Sequence, residues 1–107
     1  MIKYTILTLT LLFIPTNAVA SSSPEQIEFC GVLEKLATKV MTARQNAMPM
    51  SSSMEVFSGN TAIDEMGRAM IKDAYAEPHW QSYKLKQITI NNFATKWAGI
   101  CYSVDRN

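Results

Sequence analysis

The 107-residue chain has one histidine, His79, two cysteines and four glycines, and each scarcity excludes something. A single histidine and no C-x-x-C pair leave no zinc-type ligand set. Four scattered glycines form no phosphate-cradling loop. His79 has no evident serine or cysteine partner, so no nucleophile–base pair is assembled. The paired carboxylates Asp64-Glu65 fall at a predicted helix start, where the helix dipole already accounts for acidic residues. These gaps argue against an enzyme. Charge of one sign is also missing: 10 basic residues face 9 acidic ones, with no basic run. Nothing in that balance attracts nucleic acid or an anionic membrane surface.

The amino-terminal segment reads as an export leader. Met1-Ile2-Lys3 is a short positive start, residues 4–14 are apolar apart from threonine, and Ala18-Val19-Ala20 is a small-x-small cleavage site before Ser21. The apolar run is shorter than the roughly 20 residues a spanning helix needs and is interrupted by Pro15. Residues 1–20 are therefore read as a signal peptide and 21–107 as one domain. The mature protein is expected in the periplasm or the medium, with no stable membrane insertion. Loss of Lys3 leaves that domain formally neutral. In an oxidising compartment Cys30 and Cys101 are most simply one disulfide. A crosslink of that span contributes on the order of 4 kcal/mol in the chain-entropy model.

Periodicity predicts helices throughout. The first covers about residues 24–46, with Ser23 as N-cap, Pro24 at the first position and an apolar stripe of Phe29, Leu33, Leu36, Val40 and Met41. Gly31 is its weak point, or a place for a close neighbour. Pro49 breaks the pattern, and Ser52 or Ser53 is expected to cap a short helix through Met54, Val56 and Phe57. A third helix over 62–76 is capped by Thr61, turns Ile63, Met66, Met70, Ile71 and Ala74 inward, and stops before Pro78. The last begins near Gln81 or Ser82 and runs to about Val104, with Ile90, Phe93, Ala94, Trp97, Cys101 and Val104 on one face. Thr89-Ile90-Asn91-Asn92 has poor helix propensity, so a strand is the local alternative there. The expected fold is all-α: a small bundle of two long and two shorter helices, the long pair antiparallel so that Cys30 meets Cys101.

Taken in order, Cys30, Ala37, Met41, Ala43-Arg44-Gln45, Ala74-Tyr75 with Pro78, Phe93 and Cys101 resemble small exported helical proteins of bacteria and their phages. In those proteins an early cysteine precedes an arginine–glutamine pair, and an alanine–tyrosine–x–x–proline segment precedes a final cysteine. The resemblance spans most of the mature chain. It implies an exported, disulfide-closed helical domain and brings no activity with it. The chain departs from the pattern at Asn46, where a small residue such as glycine is more usual, which leaves the end of the first helix open.

Three groups of residues are candidates for function. Arg44 and Gln45 close the first helix; arginine's planar fork suits a carboxylate or phosphate, but free helix carbonyls and the negative dipole end explain it better. His79-Trp80 with Tyr83 offers an aromatic binding surface, or packs over the end of the bundle. Met48, Met50 and Met54 form M-x-M-x-x-x-M, a thioether set suited to Cu(I), although methionine commonly just fills gaps. The leading expectation is an exported binding or modulator protein of the cell envelope. It would meet a protein partner through Arg44, Gln45, His79, Trp80 and Tyr83, without a cofactor. The alternative is a periplasmic Cu(I)-binding protein using the methionine loop.

Overall fold

The computed structural model describes residues 22–104; the leader expected at 1–20 lies outside the described residues. Four helices follow in order: α1 (Pro24–Gln45), α2 (Met50–Val56), α3 (Ala62–Tyr75) and α4 (Tyr83–Ser103). The described residues contain no strand, and Thr89-Ile90-Asn91-Asn92 lies within α4. No helix among them is long and apolar enough to cross a membrane.

Local chemistry sets most of the boundaries. Ser23 Oγ accepts from the Gln26 amide at 3.1 Å and Ser82 Oγ from the Leu85 amide at 3.3 Å. Thr61 and Asp64 form a reciprocal capping box: the Asp64 amide donates to Thr61 Oγ1 at 3.1 Å and the Thr61 amide to Asp64 Oδ2 at 3.2 Å. α1 ends in a Schellman motif, with the Met48 amide reaching Ala43 O and the Ala47 amide reaching Arg44 O, both at 3.0 Å. The left-handed position this motif requires is filled by Ala47, at φ 62°.

α2 departs from expectation. It starts at Met50 with Pro49 before it and has no side-chain cap, so Ser52 and Ser53 lie inside the helix. Proline brings a φ suited to helix entry, here −59°, and Ser53 is drawn inward instead. It is buried, its hydroxyl 3.2 Å from Tyr75 Oη. Tyr75 commits its own proton to Met48 O at 2.7 Å, so Ser53 is the donor of the pair.

α1 is the central element. α4 packs antiparallel along it, α3 lies on the side of that pair, and α2 bridges α3 and α1. Leu33, Ala37, Val40, Met41, Met70, Ile71, Ala74, Ile90, Phe93 and Ala94 interlock, with Phe57 carried in just after α2. Phe57 reaches α3 because Gly67 leaves room: a Cβ there would stand 2.3 Å from the ring. Gly31 has no such purpose, since nothing lies within 4 Å of its absent Cβ. Ile63 is 38% exposed and not part of the inward stripe, because the first turn of α3 projects past the packed core and burial begins at Gly67. Val104 is likewise exposed: it follows the last residue of α4 and lies at the rim of the opening beside the disulfide.

At the start of α1, Cys30 and Cys101 form the disulfide, closing a separation of 71 residues. Beside it Gln26, itself buried, donates from Nε2 toward the end carbonyls of α4, Val104 O at 3.3 Å and Cys101 O at 3.5 Å. One end of the bundle is thus tied by a covalent bond and a side-chain cap.

Candidate functional site

The opposite end gathers the five residues singled out as a binding surface, and it uses two of them internally. Arg44 does not serve its own helix. Nε and Nη2 both donate to Glu77 O, at 3.1 and 2.9 Å, and the guanidinium lies 5.3 Å from the Tyr75 ring centroid. Gln45 is fully buried. Its Nε2 donates to Pro78 O at 2.8 Å and lies 3.5 Å from Met41 Sδ, and its Oε1 accepts the Trp80 amide at 3.0 Å. Both residues reach 33 positions along the chain to clamp the segment that leaves α3. The arginine–glutamine pair and the tyrosine–x–x–proline segment are two halves of one lock. Gln45 is therefore corrected from a surface residue to an interior one: its buried amide finds its partners in the backbone of the segment after α3.

The other candidates lie around this lock. His79 and Trp80 are half-buried, and Lys86 Nζ sits 3.4 Å from His79 Nε2 while donating to the terminal carbonyl of α1, Gln45 O. Tyr83, in the first turn of α4, is 76% exposed. The methionine sulfurs do not share one environment. Met54 packs against the core, Met48 Sδ lies 3.9 Å from Ser53 Oγ, and Met50 is solvent-exposed.

Several ionisable groups are engaged in structure. Asp73 Oδ2 accepts from Trp97 Nε1 at 2.9 Å and pairs with Lys96 Nζ at 2.6 Å, linking α3 to α4. Thr61, through its hydroxyl and then its amide, holds the Asp64 carboxyl below its ordinary value of 3.8. Arg68 donates to Phe57 O and to Gly59 O, fixing the turn between α2 and α3. Among the described residues no group of three or more His, Cys, Asp or Glu is placed to hold a metal ion.

Several openings remain: one, over Glu77, Thr89, Asn92 and Lys96, is polar, and two are apolar. At 1.5 Å per residue α1 spans about 33 Å and α3 only about 21 Å. The carboxyl end of α3 is held at Arg44, and near its other end Met66 lines an opening beside the disulfide. There α1 and α4 lie uncovered around a cavity of about 310 Å³, lined by Phe29, Leu33, Met66, Trp97, Ile100 and Val104, with Cys101 in its wall. A second opening, of about 190 Å³, lies between α1 and α2, over Leu36, Val40, Ala43, Val56 and Phe57. Sequence reasoning assigned Phe29, Leu33, Met66 and Trp97 to the core stripes.

No family model, curated protein or solved structure matches this chain.

Proposed function

We propose that this is an exported binding module that modulates a protein of the cell envelope through a surface contact. The observation that supports the reading best is the apolar opening at the disulfide end. Its volume is at the lower end of those that accept ligand groups, it is walled by a tryptophan and a phenylalanine, and exposed Ile100 and Val104 extend it onto the surface. Aromatic and aliphatic side chains in a preformed depression are where interface energy concentrates. The disulfide fixes the spacing of α1 and α4 there, so little conformational entropy is lost on binding. The leader expected at residues 1–20 supports export.

A photo-crosslinking amino acid in place of Ile100, which is 47% exposed, tests this in the producing cell. The expected result is one reproducible crosslinked protein species, lost when Val104→Glu is added to the same chain. Absence of any reproducible species, from a secreted and oxidised chain, overturns the reading.

A further inference from the structure

The groove between α1 and α2 differs from the disulfide-end opening in one respect: a charge stands at its mouth. Its floor is Leu36, Val40, Ala43 and Phe57, its outer lip is Val56, and the only charged side chain lining it is Lys39. Val56 is 71% exposed and Met48, which also lines the groove, is 45% exposed; no element of the described chain covers them.

Lys39 belongs to a pair. Lys35 lies one turn earlier on α1, at the i, i+4 spacing that makes side chains neighbours on a helix. The positions three and four away from each of them hold Gly31, Val32, Leu36, Thr38, Thr42 and Ala43, apart from the lysines themselves, so no acidic residue of α1 offsets the pair. Both are exposed, and among the described residues no ion pair involves either. Glu55, the acidic residue of α2, is exposed and does not line the groove. Like charges at this spacing disfavour a helix, so a carboxylate brought to the pair gains from both.

We propose that this groove receives an acidic amphipathic segment of a protein partner. The segment's apolar side chain enters between Leu36, Val40 and Phe57, and an adjacent carboxylate is held by Lys39 and Lys35. Adaptable Met48 fits the rim to it. Lysine suits this place because its stem can line the apolar wall while its ammonium stays at the mouth. The inference rests on the protein-binding reading above and adds the chemistry of the partner at a second surface.

The probes are two synthetic helical peptides with one leucine stripe, flanked by glutamates in one and by lysines in the other. They are titrated into the isotope-labelled, oxidised protein and followed by NMR. The expected result is binding of the glutamate peptide at least about tenfold tighter than the lysine peptide, with shifts at Leu36, Val40 and Phe57. Lys39→Glu reverses the preference, and Val56→Glu removes binding of both; both positions are exposed, so the circular dichroism of each variant stays that of the parent. Equal binding of the two peptides, or shifts centred on Phe29 and Trp97, overturns the inference while leaving a protein-binding module intact. Failure of both peptides to bind also overturns it, and the crosslink at Ile100 then decides the broader reading by itself.

Discussion

Replacing Ala47 by glycine is expected to stabilise the protein. Ala47 occupies the left-handed position that ends α1, at φ 62°, and it is the only non-glycine residue with positive φ among the described ones. An L-residue in that region costs about 1–2 kcal/mol. Glycine escapes that cost but brings about 0.4–1 kcal/mol of extra unfolded-state freedom. The difference leaves about 0.5–1 kcal/mol in favour of Ala47→Gly, which for a domain of this size raises Tm by about 2–8 °C. The Ala47 side chain is exposed, so no packing is lost. Thermal and urea unfolding of the oxidised protein, at constant m, measure the effect. Asn, which tolerates the left-handed region, is expected to fall between Gly and Ala, and Val below Ala. A lower Tm for Ala47→Gly, or Val equal to Ala, refutes the assignment of strain to this residue.

Other perturbations follow from the same geometry. Gly67→Ala pushes a methyl group into the buried Phe57 ring and is expected to cost about 1–3 kcal/mol, whereas Gly31→Ala, with open space around it, gains up to about 1 kcal/mol; equal signs in urea unfolding deny the distinction between the two sites. Gln45→Ala strands Pro78 O and the Trp80 amide and is expected to cost about 1–3 kcal/mol, with hydrogen exchange at the Trp80 amide accelerating ahead of the core; unchanged exchange there argues against the lock. Replacing Cys30 and Cys101 by alanine together is expected to remove on the order of 4 kcal/mol, and a variant within 1 kcal/mol of the parent, an error of about that size being allowed, shows the crosslink to be dispensable. Because Thr61 lowers the folded-state pKa of Asp64, its contribution is complete above the ordinary value of 3.8 and is lost as pH falls through the lower folded value; Asp64→Asn should flatten that part of the acid limb in the pH dependence of stability, and an identical limb denies the linkage.

The features legible in the sequence were those decided within one or two turns, or by redox chemistry. Ser23, Thr61 and Ser82 mark helix starts because an N-cap needs only its own side chain and an amide two or three residues on. Cys30 and Cys101 were legible because no other partner exists for either. The rest depended on what stands opposite in three dimensions. Arg44 and Gln45 are neighbours in sequence, yet one lies half-open beneath Tyr75 and the other has no exposed surface; only the path of residues 77–80 separates their roles. Nothing in the sequence tells Gly67 from Gly31, both being glycines within helices, and the Phe57 ring distinguishes them. Gln26 carried no visible sign that it would cap the far end of α4. The uncovered parts of the apolar stripes were hidden for the same reason: periodicity says which face is apolar, not how far a neighbour extends along it.

The two ends of α1 are fastened by different chemistry, and this has a consequence for when the molecule is complete. Arg44, Gln45 and Lys86 hold one end through carbonyl contacts that any aqueous compartment permits. The other end depends on electrons being withdrawn from two thiols. Under reducing conditions the wall formed by Phe29 and Ile100 loses its strap while the far end stays shut. The hydrophobic mouth is thus a late-maturing part of the molecule, assembled by its surroundings rather than by folding alone.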